Sequence, residues 1–299
     1  MKKINHQLCN IFELTNYEME DEFLLKLIRR NISKFKTSSN PSIASYLQDK
    51  ALSLNKQKFR KKHSLFLIEG TRAVLQAKEN NITIKYIFVS DDFRKKRDDV
   101  WNEINCSMIT EKYILDDNLF SKLSDTVASQ GVIGMCEIPK YDAKSILSKE
   151  KSFILLLDQI QDPGNFGTII RTSLAYGIDA IFFTKGSVDS FSPKVTRASM
   201  GGNLCLPLIE AEDGIDYFKK FRYTVYSASL SEKSVSYRDV NFESKVALIL
   251  GNEGNGISAD ILNTSDYQII IPIKEGMESL NVGVAAGILI NEISYKLYG

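Results

Sequence analysis

The 299-residue chain carries 38 Lys+Arg against 37 Asp+Glu, a formal net charge of +1, and is 43% hydrophobic and 25% charged. This is an ordinary globular composition that excludes wholesale disorder, and with so neutral a balance any grip on a polyanion has to be local. No apolar run reaches the ~20 residues of a membrane-spanning helix, and the N-terminus has no apolar signal core, so a soluble, uncleaved, cytoplasmic chain is expected. Cys9, Cys106, Cys136 and Cys205 form no C-x-x-C pair, and His6 and His63 are the only histidines. Such spacing speaks against a zinc site or a disulfide framework; no metal is expected.

Residues 1–37 read as a helical extension: Phe23, Leu24, Leu27, Ile28 and Phe35 share one helical face and Lys26, Arg29, Arg30, Lys34 and Lys36 make the rest basic. Residues 38–139 read as a small α/β domain, with helices at Ile43 to Leu54 and Arg72 to Asn80 and strands at Leu65 to Ile68, Ile84 to Val89 and Gly131 to Cys136. Within it Lys56, Lys58, Arg60, Lys61 and Lys62, interrupted by Phe59, suit either a solvated face or an RNA-facing one. A second basic group, Arg94 to Arg97, is flanked by Asp91, Asp92, Asp98 and Asp99, which blunt its field. The polar stretch 140–151 reads as a linker.

From residue 152 to 299 the runs Phe153 to Leu157, Ala180 to Thr184, Tyr223 to Ser227, Val246 to Leu250 and Gln268 to Ile271 are apolar throughout and separated by helical segments. That pattern implies a parallel sheet covered on both faces, with ligands bound beyond its carboxyl ends. Three of those ends carry unusual residues. After the first comes DPGN, with Asn165 as a plausible N-cap and Arg171 on an otherwise uncharged helix that Gly177 ends. After the fourth comes GNEGNGIS, which on its own suits a tight turn as well as a ligand loop and matches neither the dinucleotide fingerprint nor a P-loop. After the fifth, Pro272 opens a polar loop to Ser279, Leu280 and Asn281, followed by a small-residue apolar helix from Val282.

Taken together, NFGTIIRT, LGNEGNGIS and IPIKEGMESLNVGVAAGILI resemble the three motifs of the SpoU (TrmH-like) RNA 2′-O-ribose methyltransferases of the SPOUT superfamily, and NPSIASYLQDKALSLNKQKFRKKHSLFLIEGTRAV resembles the family's small substrate-binding domain. The resemblance implies an α/β fold with a C-terminal trefoil knot, threaded by the last helix, and a small L30e/L7Ae-like RNA-binding domain before it. It also implies a homodimer formed through the methyltransferase domain, with S-adenosylmethionine as cofactor and RNA as partner. Carried over by position, Leu250, Gly251, Asn252, Gly256, Ile271, Pro272 and Leu280 would contact the cofactor, with Gly251 and Gly256 leaving room for its adenosine. Asn165, Arg171, Glu253, Ser279 and Asn281 match the polar catalytic set. Gly283 and Ser173 depart from the family's usual residues without touching that set.

The chemistry asked of these residues is positioning of an in-line attack and removal of a 2′-hydroxyl proton. A guanidinium is a poor base, so Arg171 is expected to bind the target phosphate and orient the hydroxyl, with Asn165 and Asn281 positioning Arg171 and the ribose. Glu253 is expected to hold Arg171 or a backbone amide. The resemblance also implies that a separate substrate-binding domain favours ribosomal over transfer RNA, because the tRNA-modifying members of the resembled family are commonly minimal. A non-catalytic RNA-binding or assembly protein that keeps the cofactor pocket is the competing class.

Overall fold

The computed structural model describes residues 49–97, 111–124, 126, 129–211 and 215–299. The N-terminal extension, most of the helix expected from Ile43, Cys9, Cys106, Asp98 and Asp99 lie outside them. Ser53–Gly299 form one compact unit.

That unit begins with α1 (Gln57–His63), β1 (Leu65–Glu69), α2 (Thr71–Glu79), β2 (Ile84–Ser90), α3 (Asp91–Lys96), β3 (Glu111–Leu115), α4 (Asp117–Leu123) and β4 (Val132–Glu137). The four strands make one sheet in the order β1-β4-β2-β3, antiparallel except for β2 beside β3. Turn chemistry sets the joints: Ser90 and Asp116 accept from the N–H groups of Phe93 and Leu119 and so cap α3 and α4. The basic run on α3 is neutralised as expected, Lys95 and Lys96 pairing with Asp91 and Asp92 at 2.6 and 2.7 Å one turn back.

The chain continues through α5 (Ala143–Leu147), β5 (Ser152–Asp158), α6 (Pro163–Ala175), β6 (Ala180–Phe183), α7 (Pro193–Ala198), β7 (Leu208–Glu210) and α8 (Asp216–Lys220). It then passes through β8 (Thr224–Ala228), β9 (Val235–Ser236), β10 (Lys245–Gly251), α9 (Ala259–Thr264), β11 (Tyr267–Ile270) and α10 (Val282–Tyr298). The seven strands lie in the order β7-β6-β5-β10-β8-β11-β9, every neighbouring pair parallel. The unbroken apolar runs have a direct cause. In β5, Phe153, Leu155 and Leu157 enter one core while Ile154 and Leu156 enter another, and in β10 Val246, Leu248 and Leu250 part from Ala247 and Ile249 in the same way. A strand buried on both faces has no polar side to show.

Two expectations change here. The stretch 140–151 is no plain polar linker: Asp142 caps α5, and Leu147 is fully buried in the second core. Arg60, expected to face RNA, is only 3% exposed. Its guanidinium lies 2.6 to 2.7 Å from the Asp189 carboxylate and also donates to the Leu54 carbonyl. Burial without such partners would be prohibitive, so the pair fixes α1 against the loop before α7 and leaves Arg60 nothing to offer a phosphate. Beside this joint Phe66 of β1 packs against Phe191 with the rings tilted at 53°, centroids 4.8 Å apart. The remaining cations Lys56, Lys58, Lys61 and Lys62 are exposed, Lys61 with Glu210 at 3.3 Å.

Gly177 follows α6 with φ +70° and open space where a Cβ would go. Strain alone is therefore at issue in Gly177→Ala, which is expected to cost about 1 kcal/mol in urea unfolding.

Candidate active site

Parallel register sets the site. Gly251 at the end of β10 stands opposite Asp158 at the end of β5, so the loops that follow these strands emerge side by side. Asp158 is a buried carboxylate: it accepts from the Thr184 hydroxyl and from the Ser258 N–H, both at 2.8 Å, and so ties the ends of β5 and β6 to the start of α9. Sequence reasoning missed it, although a charge closing an otherwise apolar strand was the available signal.

The loop after β5 turns on Gln159, whose φ of +54° is strained for a side-chain-bearing residue. Asp162, rather than the expected Asn165, caps α6, accepting from the Asn165 N–H at 2.7 Å with Pro163 in the first turn. Pro needs no hydrogen-bond acceptor for its nitrogen, which favours a helix beginning there. The amide of Asn165 is thereby released from capping. In the loop after β10 the Asn252 side chain accepts from the N–H groups of Gly254 and Asn255 and donates to the Gln159 carbonyl, while its backbone exchanges two 2.9 Å bonds with Gly256. The Asn252 side chain thus shapes the loop. A Cβ on Gly251 would meet the Gly256 carbonyl carbon at 2.3 Å, so that glycine makes room for the returning chain. Gly256, at φ +68°, has open space where its Cβ would go.

The third loop ends at Asn281, whose Oδ1 accepts from the N–H groups of Gly283 and Val284 at 2.9 and 3.3 Å and caps α10. With that oxygen acting as acceptor, the Asn281 Nδ2 donates to the Asn165 Oδ1 at 2.9 Å. The Asn165 Nδ2 in turn donates to the Glu253 Oε1 at 2.9 Å. All three strand-end loops therefore meet in one hydrogen-bonded chain whose polarity is fixed at both ends, by helix N–H donors and by a carboxylate. Glu253 holds Asn165, not Arg171. Arg171 is exposed two turns along α6 and, among the described residues, forms no hydrogen bond or ion pair; exposed Ser279 likewise neither caps α10 nor finds a partner.

The loop 271–281 makes a single backbone N–H bond of its own among the described residues, Met277 to the Lys274 carbonyl at 3.3 Å. Its other N–H groups have no backbone partner among the described residues, and Ile271 packs against the core that holds Leu250. Unpaired backbone donors against an apolar wall fit a nucleoside-containing cofactor.

The sequence matches the model of the SpoU rRNA Methylase family over residues 152–291 and that of the MRM3-like substrate binding domain over residues 50–134. It is 34% identical over 239 residues to the Bacillus subtilis protein named 23S rRNA (guanosine(2553)-2′-O)-methyltransferase RlmP, covering 79% of this chain and 91% of the relative. The chain belongs to the SpoU methylase family. As a SpoU methylase it is an RNA ribose 2′-O-methyltransferase that uses S-adenosylmethionine. An AdoMet-bound rRNA methyltransferase from Sinorhizobium meliloti superposes with a TM-score of 0.74 at 25% identity, covering 89% of this chain and 98% of that one. The Streptomyces viridochromogenes SpoU methyltransferase AviRb, 23% identical with a TM-score of 0.76 over 83% of this chain and 97% of its own, shares the fold. Among the described residues of this SpoU methylase no helix is long and apolar enough to cross a membrane, and no cluster of ligating side chains is suited to a metal ion.

Proposed function

We propose that the protein methylates a ribose 2′-hydroxyl in ribosomal RNA, that it works in the cytoplasm, and that it does so as a homodimer with a knotted C-terminal domain. The observation that carries the reading is the bonded chain from Asn281 through Asn165 to Glu253, which joins the three loops at one point. The RlmP relative, named for 23S rRNA, supports ribosomal RNA as the substrate, and the exposed Lys56, Lys58, Lys61 and Lys62 supply cations for its phosphates. S-adenosylmethionine, held by the backbone around Leu250, Gly256, Ile271, Pro272 and Leu280, supplies an electrophilic methyl on a sulfonium. This chain's residues do the rest. Arg171 binds the phosphate of the target nucleotide and orients its hydroxyl, and Asn165, locked in one amide orientation, lines the ribose. Ser279, exposed beside Asn281, is left to contact substrate. Incubation with labelled S-adenosylmethionine and either bulk ribosomal or bulk transfer RNA tests the substrate. Label is expected in ribosomal RNA, and label confined to transfer RNA would reverse the assignment.

The dimer reading is supported by one face of α10. Val284, Ile288, Asn291 and Tyr295 recur at helical spacing, with Val284 53% and Tyr295 72% exposed, and Asn291 donates to the Tyr176 hydroxyl of α6 at 2.9 Å. Apolar area of this kind is costly in water and suits a self-complementary two-fold contact. The wild-type chain is expected to sediment as a dimer and the V284D/Y295D double variant as a folded monomer; a wild-type monomer at micromolar concentration would rule the dimer out.

A further inference from the structure

Four contacts between the four-stranded part of the molecule and the seven-stranded part land on one stretch, from the loop after β6 to the end of β7. The Arg60 guanidinium of α1 holds the Asp189 carboxylate at 2.6 to 2.7 Å. Phe66 of β1 packs against Phe191, Gln76 of α2 donates to the Cys205 sulfur at 3.0 Å, and Lys61 reaches Glu210 at 3.3 Å. These contacts differ in kind. Lys61 and Glu210 are solvated, so their pair contributes little. Arg60 is buried and also bonded to the Leu54 carbonyl, and the Asp189 oxygen it leaves free accepts from the Phe191 N–H at 3.0 Å, so both ends of this pair are held by further bonds.

The same stretch is seated on the helix that carries Asn165 and Arg171. A Cβ on Gly167 of α6 would meet the backbone of Ala198 and Ser199 at 2.8 Å, and one on Gly202 would meet Ile170 and Leu174 of α6 at 2.9 Å. Side chains do not tolerate such distances, so these two glycines are what let the stretch press against α6. A close-packed seat passes a displacement on instead of absorbing it. The exposed Lys58 and Lys62 of α1, and Lys56 at its start, are thereby connected to Arg171 through Arg60, Asp189, α7 and α6.

We propose that Arg60 and Asp189 are positioning residues: their pair fixes the span from the RNA phosphates held by α1 to Arg171, and so determines which ribose along the bound strand meets the methyl donor. The proposal rests on the RNA-methyltransferase reading above. Phosphate contacts set register but carry no sequence information, so a grip on them alone is the same one nucleotide further along. A misplacement of about 1 Å costs on the order of a hundredfold in rate, so a fixed span is enough to single out one ribose. A buried ion pair is a poor source of stability, since apolar residues of similar volume do as well. What the planar guanidinium adds is a defined direction as well as a distance.

The test maps 2′-O-methyl positions nucleotide by nucleotide, from resistance to alkaline cleavage, after the full chain has acted on ribosomal RNA lacking this modification. Arg60→Met combined with Asp189→Asn removes both charges, so neither is left buried alone, and the asparagine oxygen can still accept from the Phe191 N–H. The thioether fills the volume and sets no direction. Wild type is expected to methylate a single position. The double variant is expected to lose about tenfold in kcat with KM for RNA within about twofold, because the lysines remain, and to place about half of its methyl groups on neighbouring riboses. Arg60→Lys keeps the charge and gives up the fork. It carries the test if the double variant does not fold, with about a fifth of its methyl groups expected on neighbouring riboses. A joint that served stability alone would lower the melting temperature without moving the methylated position. One unchanged position in the folded variants, whatever their rates or melting temperatures, therefore overturns the proposal and leaves the methyltransferase reading intact. A wild type that transfers no methyl group to ribosomal RNA removes that reading and the proposal with it.

Discussion

Arg171→Ala is expected to lower single-turnover methyl transfer about a thousandfold while leaving the affinity for S-adenosylhomocysteine, measured by calorimetry, unchanged. The magnitude is that of removing one preorganised charged donor from a transition state. The location explains the selectivity. Arg171 is exposed on α6 and, among the described residues, its side chain forms no hydrogen bond or ion pair with the backbone wall, so its loss is expected to leave cofactor binding unchanged. Arg171→Lys keeps the charge and loses the planar fork that can grip a phosphate and a hydroxyl together, and a loss of about tenfold to a hundredfold is expected. Near-normal turnover by Arg171→Lys, with substrate binding unchanged, would show that Arg171 does not orient the hydroxyl.

Asn281→Asp is expected to slow transfer about a hundredfold with little change in stability. An aspartate caps α10 as well as an asparagine does, so unfolding should shift by no more than about 0.5 kcal/mol. The carboxylate cannot donate, however, and the bond from Asn281 to the Asn165 Oδ1 is lost. Asn165 then either keeps its donation to Glu253 with its oxygen facing a carboxylate, or flips and sets its oxygen against Glu253. Neither orientation satisfies both neighbours. Asn281→Ala, by contrast, loses the cap as well and should destabilise the protein by about 1 kcal/mol. Equal activity of Asn281→Asp and wild type would show that the amide chain only joins the loops and does not position substrate.

Much of this was legible in the sequence because the physics behind it is local or periodic. A strand buried on both faces leaves an unbroken apolar run, and the five runs from Phe153 to Ile271 locate five of the seven strands of the large sheet. The two that escaped notice, β7 and β9, have three and two residues and lie at the sheet's edges, too short for a pattern. Loop residues were legible as types but not as partners. Asn165, Glu253 and Asn281 stand far apart in sequence, and only parallel register brings their loops together. Asp162 displaced Asn165 as the cap because Pro163 fits the first turn better than the chain that precedes it. Arg60 looked identical in kind to Lys58 and Lys61, and what buries it is a carboxylate 129 residues away. Asp158 and Asn252 shape the site through bonds to backbone groups of other loops, which no local pattern records.

The central claim is ribose methylation at the site where the three loops meet. Its most direct measurement incubates the full chain with ribosomal RNA lacking this modification and methyl-labelled S-adenosylmethionine, digests the RNA to nucleosides and separates them. Label is expected to elute with a single 2′-O-methylnucleoside and to be absent with Arg171→Ala. Label in a base-methylated nucleoside, or equal labelling by wild type and Arg171→Ala, would contradict it.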